Sequence, residues 1–415
     1  MLPRFIRFHR RMTVLPPLDP IAALKTEWHK LDLEKTTVGK SIALGVGSRG
    51  IRNHPVLVKT LVALLREAGA NPFIIPAMGS HGGATGQGQI EALRDLGVTE
   101  EVIGCSIRAT TNTVLIGHTA EGLPAYQDEL AAGADGFMLL NRIKPHTSFT
   151  GELESGLHKM LAIGLGKEKA ASLLHAGGPR SLREDMPKVA RVLLEKSRFL
   201  AGFGVVEDAE QNLAALRGLN RANLEAGEKE LLALARMLMP SLPLPEWDVV
   251  VVDEMGKDVS GTGMDTHVIG RMRIRGEPEP ASPRIHALTV LRLTAATHGN
   301  ALGIGLADFT TSEALAAIDF EKTRRNVLTT GNIERGRIPV VCPDAVEAVK
   351  EAALFSQRSR AGKTGEPGIL RIRNTLRLND FFVSENRREE ISMLEGVEEI
   401  SGARALRFTP DEWTV

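Results

Sequence analysis

Short apolar runs alternate with amphipathic stretches along the first half of the chain. Ser41-Ile-Ala-Leu44 is an apolar run that ends in a glycine loop, and it predicts a strand. In Pro55–Gly69 the apolar positions Leu57, Leu61, Leu64, Leu65 and Ala68 recur at helical spacing. Proline in the first turn and Gly69 as a stop complete the helix pattern. Asn71–Met78 predicts the next strand, with its prolines towards the ends, and Gln87–Leu96 the next helix. Ala134–Leu140 predicts a further short buried strand. Strands that alternate with helices imply an α/β fold whose mainly parallel sheet is covered on both faces.

A helical stretch, Asn223–Met239, runs into Pro240-Ser-Leu-Pro-Leu-Pro245. Prolines at that density end a helix and make a stiff linker. Trp247–Asp253 then opens a new pattern, with strands expected at Ile285–Leu293 and Ile369–Arg373 and a helix at Asp344–Phe355. The expectation is two α/β domains, residues 1–242 and 246–415, with an active-site cleft between them. A length of 415 residues suits that division.

Composition narrows the function classes. Fifty-one basic residues balance fifty-one acidic ones, and Tyr126 is the single tyrosine, so neither a nucleic-acid nor a membrane-surface partner is expected. Two distant cysteines, Cys105 and Cys342, support neither a disulfide framework nor a structural zinc site, and a reducing cytoplasm fits. The start, MLPRFIRFHRRMTVL, is basic without a continuous hydrophobic stretch. It reads as a frayed or strand-forming terminus and not as a secretory signal. No later stretch approaches membrane-spanning length.

Ligands of open α/β sheets sit beyond the carboxyl ends of the strands, and four loops there carry unusual residues. Gly45-Val-Gly-Ser-Arg-Gly50 matches G-x-G-x-x-G, but the next strand ends in Pro76-Ala-Met-Gly79 and not in an acid for a ribose. Anion binding through Arg49, a structural glycine turn and a dinucleotide site all remain open. Met78-Gly-Ser-His-Gly-Gly83 exposes His81, either for proton transfer or as a turn filler. The densest segment runs from Asn141 to Lys167 and contains His146, Ser155, His158 and Lys159. Lys159 adjoins the apolar run Met160–Leu165, so burial could free a nucleophilic amine; an ordinary ion pair with Glu152 or Glu154 is the alternative. Leu174-His175-Ala-Gly-Gly178 offers His175 as a ligand or as a helix-end cap. No H-E-x-x-H, P-loop or G-x-S-x-G motif occurs.

These segments resemble the nickel-dependent lactate racemase family, and more closely its branch of pincer-cofactor isomerases. The carriers are RGI at Arg49, MGSHGGAT at Met78, NRIKPHT at Asn141, ESGLHKMLAIGLGK at Glu154 and GKDVSGTGMD at Gly256. The resemblance implies a nickel pincer nucleotide attached covalently to Lys159, with His175, sixteen residues on, as the protein ligand of the metal. It implies His81 and His146 as the acid/base pair. Gly47, Ser48, Arg49 and Ser155 would hold the cofactor, and Arg49 and Lys257 the substrate carboxylate. It assigns cofactor and catalysis to the first domain and substrate contacts to the second. The chain departs from the family pattern in having Val46 near the place of a usual aspartate. His146 also stands thirteen residues before Lys159, further than in the family, and Gly156-Leu157-His158 replaces a glycine pair.

The implied activity is racemisation or epimerisation of a 2-hydroxy acid by reversible hydride transfer, one histidine serving each face. Partners would be the small hydroxy acid and the host enzymes that build the cofactor. A non-catalytic α/β protein that captures an anionic metabolite is the rival outside enzymology. It would need Arg49 and Lys257 but not Lys159 or His175. A metal-free Schiff-base lyase using Lys159 is the enzymatic rival.

Overall fold

The structure is a computed structural model, and it describes residues 2–359 and 365–414. The chain divides into two compact units, Thr13–Met239 and Met1–Met12 together with Pro240–Val415.

In the Thr13–Met239 unit the strands are β2 (Ser41–Val46), β3 (Asn71–Pro76), β6 (Gly136–Arg142), β7 (Phe199–Glu207) and β8 (Leu213–Leu219), while β1 (Phe5–Arg10) lies in the other unit. β4 (Thr113–His118) and β5 (Pro124–Asp128) form a separate antiparallel hairpin. The sheet order is β3-β2-β6-β7-β8, parallel except for β8 at the edge. Successive strand residues serve opposite faces. Ile42, Leu44 and Val46 join a core with Leu57 and Leu61 of the His54–Glu67 helix and Trp28 of the Pro20–Lys30 helix. Ala43, Phe137 and Leu139 join the opposite core, with Met186 of the Gly178–Lys196 helix and Leu231 of the Leu224–Met237 helix. Covering both faces explains why β2 and β6 read as continuous apolar runs and not as alternating ones. Each buried aliphatic side chain contributes about 1.5–3 kcal/mol relative to exposure.

The other unit holds β9 (Glu246–Met255), β10 (Arg284–Leu293), β11 (Phe309–Thr311), β12 (Val340–Cys342), β13 (Ile369–Asn374), β14 (Arg377–Ser384) and β15 (Val397–Glu399). Their order, with β1, is β12-β11-β10-β9-β13-β14-β1-β15. The β12-to-β13 half is parallel, whereas β14, β1 and β15 run antiparallel to their neighbours. Arg371 on β13 is fully buried. It binds Asp253 of β9 through two nitrogens (2.8 and 2.7 Å) and Glu412 through a third (2.6 Å).

Two sequence expectations are corrected here. The first twelve residues do not belong with the segment that follows them: Phe5, Ile6 and Phe8 are buried in the sheet of Pro240–Val415, where β1 pairs with β14. The proline-rich segment is also not a bare linker. Leu242 and Leu244 are buried, and Arg284 N–H donates to Pro245 C=O (2.8 Å). Local pattern identified the strand-forming residues but not the sheet that receives them.

Candidate active site

Strands β3, β2 and β6 are neighbours, with Val46 opposite both Pro76 and Leu140, so their carboxyl-end loops emerge side by side. These loops carry Arg49, His81 and the Asn141–Lys159 segment.

Lys159 closes a single helical turn, Leu157–Lys159, that begins at Gly156. The turn is pinned from the Leu224–Met237 helix, where Glu228 accepts from the His158 N–H (3.0 Å) and faces its Nδ1 (2.7 Å). His158 and Glu228 are both buried. A Cβ at position 156 would lie 2.0 Å from Glu228 Oε1, so any larger residue would push aside the carboxylate that pins the turn. A π-type turn, Met160–Gly164, follows, with Leu165 N–H donating to Met160 C=O (2.8 Å). Such turns are rare in ordinary helices and recur at functional sites. Gly164 lies so close to Ala77 that a Cβ would sit 2.5 Å from its carbonyl oxygen, and its own C=O accepts from Gly79 N–H (3.1 Å). The loop that carries His81 therefore packs directly on the segment after Lys159.

The Lys159 Nζ lies 2.7 Å from His146 Nε2. His146 Nδ1 accepts from the Ser148 N–H (3.1 Å), and the imidazole packs on Phe149. The His146 loop wraps around the buried carboxylate of Glu154. That carboxylate accepts from His146 N–H (2.5 Å), Gly151 N–H (2.9 Å) and Arg236 (2.6 Å). Arg49 donates to Ser155 Oγ (3.4 Å). Burial, and after it the nearby Arg49 charge, lower the Lys159 pKa to about 7. His175 stands in the last turn of the Lys167–Ala176 helix, exposed to solvent on one side. Desolvation by the surrounding protein, followed by the charge of Lys159, lowers its pKa to about 4. An imidazole that stays neutral at ordinary pH keeps a lone pair for a metal.

Arg49, His146, Ser155 and Lys159 are thus brought together, and His175 is near enough for the Lys159 charge to act on it. The ion-pair alternative for Lys159 is corrected: Glu154 pairs with Arg236, and Glu152 with Lys229 (2.8 Å). His81 is exposed on its loop, and its carbonyl accepts from Gln89 Nε2 (3.4 Å), which also donates to Gly79 C=O (2.7 Å). Gly47 is buried where a Cβ would come 2.5 Å from Asn141 Oδ1, while Asn141 Nδ2 donates to Gly156 C=O (3.1 Å). Ser48 is half-buried beside it. Lys257 belongs to the other unit, where its ammonium donates to Gly261 C=O (2.7 Å) and Asn326 (3.2 Å).

Sequence reasoning missed the supports. Glu228 carries no signal that separates it from a solvated carboxylate, and Asn141 and Glu154 stand in the segments singled out without any sign of their supporting role. Lys167 was the more legible case, as a lysine that ends a glycine-rich apolar run. It is buried with a φ of 54°, in the left-handed region. Its ammonium binds Asp128 (2.8 Å), Pro76 C=O (2.6 Å) and Gln89 (3.3 Å), which fastens the carboxyl end of β3.

The lactate racemase apoprotein from Thermoanaerobacterium thermosaccharolyticum aligns over 90% of this chain and 99% of its own, with a TM-score of 0.53 and 13% identity. The two proteins share a fold. A Thermotoga maritima protein of known structure aligns over 67% of this chain and 72% of its own, at 15% identity and a TM-score of 0.45, too low to bear on the fold. No protein-family model and no curated protein sequence matches the chain.

Proposed function

We infer that the chain is an isomerase that racemises or epimerises a small 2-hydroxy acid, using a nickel pincer nucleotide carried on Lys159. The observation that carries this reading is the half-buried Lys159 amine, 2.7 Å from His146 Nε2 and close to Arg49 and His175. The shared fold with a lactate racemase supports it.

The residues fit such a group. Among the described residues no cluster of three or more histidine, cysteine or acidic side chains could hold a metal ion. His175, an imidazole held neutral, suits a metal whose other donors arrive with an organic ligand. A free amine suits covalent attachment, and the Arg49 fork suits a phosphate or carboxylate. When bound, the group would supply a ring that accepts a hydride from the hydroxylated carbon and returns it. His146 would be the acid/base group on one face of the substrate, and His81, on the adjacent loop, on the other. Arg49 would orient the carboxylate, and the loop residues Gly47, Ser48 and Ser155 would line the cofactor.

The test is chain produced in a host that builds the cofactor. Its intact mass should exceed that of the sequence, with the excess on the Lys159 peptide, and it should interconvert the enantiomers of a 2-hydroxy acid. Lys159→Ala should lose adduct and turnover together. His175→Ala should keep the fold but lose most of its nickel. Full racemase activity in unmodified protein would overturn the reading.

A further inference from the structure

We propose that, before any cofactor is attached, Lys159 captures small anionic carbonyl compounds (2-oxo acids or anionic aldehydes) as imines, with Arg49 holding the anion and His146 moving the proton. The inference goes beyond the function proposed above and rests on that reading only where capture competes with loading.

The hydrogen bonds around His146 fix its proton. Nδ1 accepts from the Ser148 N–H, so its lone pair is engaged and the ring proton of a neutral imidazole resides on Nε2. Nε2–H then points at Lys159 Nζ, 2.7 Å away, and needs a lone pair there. An ammonium has none. An imidazolium would set an N–H against the Ser148 N–H. These two hydrogen bonds are satisfied together by a neutral His146 donating to a free amine. Burial and Arg49 favour the same state. The Glu154 carboxylate enforces it, because it gathers His146 N–H, Gly151 N–H and Arg236 and so folds the loop that brings Ser148 N–H to the ring.

A free amine beside a proton donor and a guanidinium is equipped for condensation with an anionic carbonyl compound. The amine lone pair forms the N–C bond as the carbonyl π pair moves to oxygen. That frees the His146 Nε2–H, which protonates the oxygen. The nitrogen gives up its two protons, one directly to the oxygen and one back to His146, and the oxygen leaves as water. Atoms balance without an oxidant or reductant. Arg49 lies near enough to act on Lys159 and donates to Ser155 Oγ, so its charge would meet the carboxylate of a carbonyl compound condensing there.

Full-length chain from a host that lacks the cofactor-building enzymes is mixed at pH 7 with glyoxylate, then trapped with cyanoborohydride and mapped by peptide mass. Lys159 should be labelled first, at least roughly tenfold faster than surface lysines, whose ordinary pKa near 10.5 leaves little free amine. Arg49→Gln should slow labelling by glyoxylate about tenfold more than labelling by neutral propanal, which reports only the weaker hold on the free amine. His146→Phe should slow both reagents. Labelling spread over surface lysines with Lys159 unmodified would overturn the proposal on the wild-type chain alone. Equal losses with both aldehydes in Arg49→Gln would overturn the anion site. A chain that forms the imine yet takes up no adduct in a cofactor-building host would overturn the proposed function and leave this inference standing; the reverse would overturn this inference alone.

Discussion

At the scale of single residues, His54, Lys159 and His175 titrate away from their ordinary values in two pH windows. His54, at the start of the His54–Glu67 helix, is buried with neither ring nitrogen hydrogen-bonded, and desolvation lowers its pKa to about 4. An unfolded imidazole titrates near 6.5. Between those values the unfolded chain binds the extra proton, so stability falls as pH drops from about 6.5 towards 4, by up to about 3 kcal/mol. Lys159 has the same sign in a higher window, losing stability as pH falls from about 10.5 towards 7. His175 shifts like His54 but is exposed and contributes less. Urea unfolding of wild type and His54→Leu between pH 7 and 4.5 should show a flatter acid limb in the variant. Parallel curves would mean that His54 is not the group responsible.

At the scale of elements, the decisive contact joins the Leu224–Met237 helix to the turn that ends in Lys159. Glu228 satisfies a backbone N–H and a ring nitrogen of His158, all inside the core. Glu228→Ala should destabilise the chain by about 2–4 kcal/mol, because it leaves buried donors unpaired. Glu228→Gln keeps an acceptor oxygen and should cost less. Hydrogen exchange should quicken across residues 157–165 in the alanine variant before it does elsewhere, and unchanged protection there would show that Glu228 does not pin the turn. Lys159 was legible in the sequence because it adjoins the apolar run Met160–Leu165, and His146 and His175 because they stand in segments dense in polar residues and glycine. Their supports were not, since a buried carboxylate on a distant helix looks like any solvated one until the fold buries it.

At the scale of the whole chain, the backbone passes between the two units twice, at Met12–Thr13 and at Met239–Pro240. Deleting Met1–Met12 removes the strand between β14 and β15 together with three fully buried apolar side chains, Phe5, Ile6 and Phe8. At about 1.5–3 kcal/mol each, their loss should destabilise the Pro240–Val415 sheet severely. Amide protection in β13 and β14 should collapse, while β2 and β6 stay protected and Lys159 keeps its selective labelling by glyoxylate. Loss of protection in β2 and β6 as well would show that the Thr13–Met239 unit depends on the first strand.

The sequence by itself determined the alternation of strands and helices, the parallel sheet and the loops in which chemistry could reside, because periodicity and glycine placement are local and act through the backbone. Tertiary structure alone decided which sheet receives Phe5–Arg10, since strand pairing across nearly the whole chain leaves no local trace. It also decided the partner of Lys159. Residues 152, 154 and 159 are near in sequence, yet Glu152 and Glu154 turn to Lys229 and Arg236, and His146 reaches the amine instead. Whether a lysine is an ion-paired cation or a free amine depends on what is folded around it, and sequence spacing does not carry that information.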